Sequence, residues 1–155
     1  MELYVGGLAQ GKTAYVQRKY EGRKLLLLAA EAYADCAFSK EPKLAPESIL
    51  TDQGEYPEVI VLQDLHLAVK RLMWKQMSEA EELGAWLGDL EEEIARLEAA
   101  GCKVVIIADE VGCGVVPMEP KERMYRECVG RCLIELAGKA ESVERVICGL
   151  GQKIK

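Results

Sequence analysis

The chain is short of several features that would point to particular functions. It has a single histidine, His66, and only 6% aromatic residues. It has no cationic excess: 20 Lys and Arg stand against 26 Asp and Glu, a net charge of -6. A phosphate backbone attracts a basic surface, so nucleic acid is not expected as a partner. No apolar run reaches transmembrane length, so no membrane association is expected. Met1 to Val5 run straight into a strand-like stretch without a basic leader, and the expected location is cytoplasmic. The cysteines Cys36, Cys102, Cys113, Cys128, Cys132 and Cys148 include no C-x-x-C pair. Reduced, mostly buried thiols are therefore expected. Cys128 and Cys132 lie one helical turn apart. With no second pair to complete a metal site, they read as a shared packing face.

What is present is globular. Half of the 155 residues are hydrophobic, enough for one domain over residues 1–155 with a substantial core. Glu2–Val5 reads as a short apolar strand, followed by a glycine-rich turn and a helix from about Lys12 to Tyr20. Lys24–Leu28 is a second strand; its lack of alternation predicts burial on both faces of a parallel sheet. Ala29–Pro57, with Pro42, Pro46, Gly54 and Pro57, reads as a loop-rich excursion. Val59–Leu62 is a third strand, followed by a helix to about Met77. Ser78, with Glu81 as its capping partner, opens a long helix. Leu83, Leu87, Leu90, Ile94 and Leu97 form its apolar stripe, its glutamates a solvated face, and Gly101 its end. Val104–Ile107 is a fourth strand, Pro120–Lys139 a basic helix and Val143–Cys148 a fifth strand. Gln152–Lys155 adds a short last one. Strands alternating with helices predict an α/β fold, a mainly parallel sheet flanked by helices in three layers.

Gly6-Gly7-Leu8-Ala9-Gln10-Gly11-Lys12-Thr13 satisfies G-x-x-x-x-G-K-[ST] in full, with a strand before it and a helix after. The chemistry needs each part. Glycines let the backbone curl around an anion without Cβ clashes. Free N–H groups at a helix N-terminus hold phosphate. Lys12 would reach the β and γ phosphates of ATP or GTP, and the Thr13 hydroxyl would ligate Mg²⁺. This is the phosphate cradle of a P-loop nucleotide-binding domain, and the fold class follows as P-loop NTPase-type. Such a cradle needs a carboxylate to place Mg²⁺ or its water shell, just past the carboxyl end of a strand. Asp64 after the third strand and Asp109 at the end of the fourth both qualify, and the sequence leaves the strand order open. Glu110 is placed to orient an attacking hydroxyl or a metal-bound water. His66, just after the third strand, reads as a satisfied, partly buried side chain. Arg123, Arg126 and Arg131 read either as phosphate contacts or as a solvated basic face.

Three stretches resemble the bacterial bifunctional adenosylcobinamide kinase / adenosylcobinamide-phosphate guanylyltransferase family. Val5–Thr13 is close to T-G-G-x-x-S-G-K-S, and Glu110–Pro117 to N-E-V-G-x-G-I-V-P. Arg126–Arg131, with the closing Gly149–Lys155, is similar to F-R-D-x-x-G-R and its terminal glycine–lysine segment. The resemblance implies transfer of a γ-phosphoryl group to the aminopropanol hydroxyl of adenosylcobinamide, then attachment of GMP through a guanylyl-histidine. It also implies a homo-oligomer. The family's guanylylated histidine has no counterpart in Ala29–Pro57. The acid closing its third strand aligns with Gln63, and its G-R-x-N-Q becomes Gly130-Arg131-Cys132-Leu133-Ile134. The expectation is therefore a divergent member that binds Mg²⁺ and ATP or GTP and phosphorylates adenosylcobinamide. Lys12, Glu110 and Asp64 would carry the chemistry, without guanylyl transfer by the family's histidine route. The alternatives are a regulatory nucleotide-binding module and a P-loop kinase of another small molecule.

Overall fold

The computed structural model describes residues 1–35, 56–75 and 80–155. Its sheet has six strands in the order β2-β3-β4-β1-β5-β6. They are β1 (Glu2–Gly6), β2 (Leu25–Ala29), β3 (Val59–Gln63), β4 (Lys103–Asp109), β5 (Ser142–Ile147) and β6 (Leu150–Lys153). All neighbours are parallel except β5 and β6, which form an antiparallel hairpin. The helices are α1 (Lys12–Lys19), α2 (Ala30–Asp35), α3 (Leu65–Lys75), α4 (Ala80–Ala99) and α5 (Pro120–Lys139).

Strand periodicity sorts the core into two faces. Leu3, Val5, Ile60, Leu62, Val104 and Ile106 point to one side and pack with α2, α3, α4 and α5. Tyr4, Val59, Val61, Val105, Ile107 and Val146 point to the other, where Val16 of α1 meets them. The sheet thus lies between helices on both faces. β1, β3 and β4 are buried almost throughout, as continuous apolar runs in parallel strands should be. The α4 stripe is buried at all of its leucines and at Ile94. Gly101, at φ 91°, terminates that helix. Cys128 and Cys132 are both buried in the core on α5, where burial pushes the Cys132 thiol up to about 12. Pro120 sits in the first turn of α5, where its missing N–H costs nothing.

Four expectations change. β2 is half-buried rather than enclosed, because it is the sheet's edge strand. The segment after it does not begin as a loop: Ala30–Asp35 is helical. The rest of that excursion to Glu55 lies outside the described residues, as do Ser78, Met77 and the Glu81 side chain. Strand β5 stops at Ile147 and β6 starts at Leu150, because Cys148 (φ 52°) and Gly149 (φ 75°) form a two-residue turn of the left-handed kind that hairpins prefer. No helix among the described residues is long and apolar enough to cross a membrane.

Candidate functional site

The loop between β1 and α1 rises from the carboxyl edge of the sheet, with β4 on one side and β5 on the other. In open α/β sheets, ligands bind in this position. The reversal uses left-handed backbone at Ala9 (φ 58°) and Gly11 (φ 78°). Gly11 accepts that conformation freely, whereas Ala9 carries a cost of roughly 1–2 kcal/mol. Gly6 is required for a different reason: a Cβ there would be driven into the Val146 carbonyl. Gly11 caps α1 without any side-chain hydrogen bond, so the first N–H groups of the helix remain available to an anion.

Strand order answers the question the sequence left open. β4, not β3, lies beside the loop strand, and the register sets Asp109 level with Gly6. Lys12 is buried, with its ammonium ion-paired to Asp109 and donating to the Gly7 carbonyl at 2.8 Å. Thr13 faces β3: the Gln63 amide donates to its Oγ1 at 2.9 Å. Asp64, held at φ 57°, borders the same space. The cavity is about 540 Å³ and is lined by the loop from Leu8 to Ala14 together with Asp64, His66, Leu67, Ile107 and Asp109.

His66 is buried against this cluster. Its Nδ1 accepts a hydrogen bond from the Asp109 backbone N–H at 3.2 Å, and its Nε2 lies 3.7 Å from the Asp109 carboxylate. A backbone N–H can only donate, so Nδ1 carries the lone pair and Nε2 the proton. Burial lowers the imidazole's affinity for a second proton; the carboxylates of Asp109 and Asp64 oppose this without reversing it. His66 is thus a neutral histidine that braces Asp109.

Other candidates are placed elsewhere. Glu110 donates its backbone N–H to Gly6 O at 2.9 Å, but its carboxylate pairs with Arg145 at 2.7 Å and is not part of the cavity lining. That hydrogen bond raises the Arg145 pKa. Arg123 and Arg126 donate to backbone carbonyls of the segment from Gly112 to Met118, at Pro117 and Met118 and at Gly112 and Val115 respectively. Arg131 pairs with Glu127 on its own helix. None of the three lines the cavity. Sequence reading assigned no role to the Gln63 amide or to Arg145. Gln63 had a signal, a polar residue closing an otherwise apolar strand. Arg145 had none, since only the β1–β5 register, which pairs Val5 with Arg145, brings it near Glu110.

A family model described as cobinamide kinase / cobinamide phosphate guanyltransferase matches residues 37–154. The bifunctional adenosylcobalamin biosynthesis protein CobU of Escherichia coli (strain K12) is 37% identical over 67 residues, 43% of this chain and 37% of that protein. Its counterpart in Salmonella typhimurium is 40% identical over 62 residues, 40% of this chain and 34% of that protein. The matching stretches span little more than a third of either relative. The family match runs through the middle of the chain and its closing segment and includes Glu110–Pro117. It begins beyond Gly6–Thr13, so the cradle rests on its own motif and geometry.

Proposed function

Since the chain belongs to the cobinamide kinase / cobinamide phosphate guanyltransferase family, we propose that it binds a magnesium nucleoside triphosphate and transfers the γ-phosphoryl group to the aminopropanol hydroxyl of adenosylcobinamide. The observation that carries this reading is Lys12, buried beneath a glycine loop and paired with Asp109 on the wall of a 540 Å³ cavity. The N–H groups opening α1 hold the polyphosphate. Lys12 exchanges Asp109 and the Gly7 carbonyl for the β and γ phosphate oxygens, placing its charge where negative charge builds during transfer.

The donor set suits a hard cation: a hydroxyl at Thr13 and carboxylates at Asp109 and Asp64, all bordering one cavity. Those residues would hold Mg²⁺, which would supply positive charge to offset that of the phosphates. A metal-ligating hydroxyl would point a lone pair at the cation and donate its O–H in a hydrogen bond elsewhere. The Gln63 side chain, which donates to Thr13 in the free protein, would offer that O–H an accepting oxygen if turned end for end about its last bond. His66 accepts the Asp109 backbone N–H and so steadies the end of β4 that carries the carboxylate. Asp64, with the carboxylate oxygen it does not give to the cation, would receive the acceptor hydroxyl's proton. Glu110 acts as a support that ties the end of β4 to β1 and, through Arg145, to β5.

Guanylyl transfer is not expected through His66. Its lone pair is engaged by the Asp109 N–H, and its other nitrogen is protonated against the carboxylate. The deciding measurement is ADP or GDP release from ATP or GTP, with and without adenosylcobinamide. Release that depends on adenosylcobinamide supports the kinase. Tight binding without turnover would replace it with a nucleotide-binding module. A GMP adduct in the intact mass after GTP incubation would overturn the assignment of His66.

A further inference from the structure

The hairpin turn between β5 and β6 is fastened to the phosphate loop. The Cys148 N–H donates to the Gln10 side-chain carbonyl at 2.8 Å, and the Gly149 N–H donates to the Gln10 backbone carbonyl at 2.9 Å. Arg18 of α1 closes the ring by donating to the Gly149 carbonyl at 2.9 Å. Gly11, the left-handed residue that opens α1, is so close to the turn that a Cβ on it would lie 3.4 Å from Gly149 Cα. The turn in its own right needs left-handed backbone at Cys148 and Gly149.

Two left-handed segments therefore brace each other across the cradle. A loop containing Ala9 in a disfavoured conformation keeps its shape only where its surroundings over-determine it. The structure assigns that role to the β5–β6 turn: Gln10, through its paired hydrogen bonds to Cys148 and Gly149, is a positioning residue that pre-forms the polyphosphate cradle. This rests on the triphosphate-binding function proposed above and adds to it a hairpin more than 130 residues distant in sequence. The cradle is thus a composite of the motif and the chain's closing segment, and the motif alone is not sufficient. A pre-formed loop binds more tightly because the ordering cost is met during folding.

The test compares wild type with Gln10→Met, Gly149→Val and Gly149→Asn, by calorimetry with Mg·ATP, Mg·GTP and inorganic tripolyphosphate. Methionine keeps the bulk of Gln10 without its acceptor. Valine is disfavoured at positive φ, whereas asparagine tolerates it. Gln10→Met and Gly149→Val should weaken all three ligands about tenfold. Gly149→Asn should stay within about threefold of wild type. Ligand-free melting temperatures should move by no more than about 3 °C in Gln10→Met and Gly149→Asn, and should fall by about 4–8 °C in Gly149→Val, which stays folded at the assay temperature. Amide hydrogen exchange at Cys148 should accelerate in Gln10→Met. Wild-type affinity in both weakened variants would overturn the role of the hairpin. So would a loss confined to the nucleotides with tripolyphosphate spared, since the turn would then be contacting the nucleoside. Wild-type protein that bound none of the three ligands would instead overturn the proposed function itself.

Discussion

β1 has a lysine–carboxylate cluster near each end, partly exposed at one and buried at the other, and the two are built to opposite rules. At the amino end, Lys19 donates to Tyr4 Oη and to Glu144, both at 2.6 Å. Tyr15 donates to the other Glu144 oxygen at 2.7 Å. Tyr4 and Tyr20 donate to Glu2 at 2.6 and 2.8 Å. Burial pushes both carboxyls up, yet these hydrogen bonds and the Lys19 charge leave both below the usual carboxylate range. Burial, and then the hydrogen bonds to Glu2, raise the Tyr4 and Tyr20 phenols. Each charge there has several protein partners, and the cluster adjoins packed side chains. At the carboxyl end, Lys12 has one carboxylate and a pair of loop carbonyls, and the cluster opens on a cavity. Similar residue types serve as scaffold where the protein satisfies them fully, and as a candidate site where a ligand can take over their contacts.

The largest expected effect separates the two ends most sharply. Lys12→Ala should abolish measurable calorimetric binding of Mg·ATP and Mg·GTP, a loss of at least about a hundredfold. It also leaves Asp109 facing the cavity without its cation, so the melting temperature should fall by about 4–8 °C, for roughly 2 kcal/mol. Adding Asp109→Asn should restore the melting temperature and not the binding. Unchanged triphosphate affinity in Lys12→Ala would remove the distinction between the two clusters.

Lys19→Met should behave in reverse. It leaves Glu2 and Glu144 without their shared cation and, because Lys19 is partly screened by solvent, should cost about 1 kcal/mol in chemical unfolding. Triphosphate affinity should not change, and a large loss of affinity would show that the amino-end cluster is coupled to the site.

Glycine replacements compare the ends sterically. Gly6→Ala forces a Cβ onto the Val146 backbone carbonyl and should cost about 1–3 kcal/mol. Gly151→Ala meets the flexible ends of Tyr15 and Glu144 instead, which can swing aside, so its cost by thermal melting should be smaller. Equal costs would contradict this account.

The smallest effect is in pH. Glu2 and Glu144 titrate lower in the folded protein than in the unfolded chain. Their stabilisation is complete above the unfolded carboxylate value of about 4.5 and is lost as pH falls through the lower folded values. Glu144→Gln should flatten the decline in melting temperature between about pH 5 and pH 3. An unaltered slope would mean that Glu144 does not contribute to the acid sensitivity.

Much of the scaffold was legible in the sequence. Continuous apolar runs located β1, β3 and β4, and the three- and four-residue spacing of leucines located the buried face of α4. The limits of α5 were fixed by Pro120 and by the apolar strand that follows. What was misread depended on neighbours. Leu25–Ala29 has the composition of an enclosed strand but lies at the sheet's edge. Cys148 resembles a strand residue but serves as a turn, because Gly149 follows it and the chain doubles back. In the candidate site, the positions of Lys12 and Thr13 were legible because they are set locally, by a loop and the first turn of a helix. The partner of Glu110, the bracing of Asp109 by His66 and the Gln63–Thr13 contact were not, because each joins elements far apart in the sequence.

By itself the sequence determined the alternation of strand and helix, the glycine-rich loop before α1 and the acids at the carboxyl ends of β3 and β4. These follow from periodicity, backbone freedom and short-range spacing. Tertiary structure alone decided that Asp109 rather than Asp64 stands beside Lys12, that Glu110 turns towards Arg145, and that the closing hairpin grips Gln10. Each of these depends on which strands become neighbours and in what register. That choice is made by burying the whole sheet between its helices, and no local run of residues encodes it.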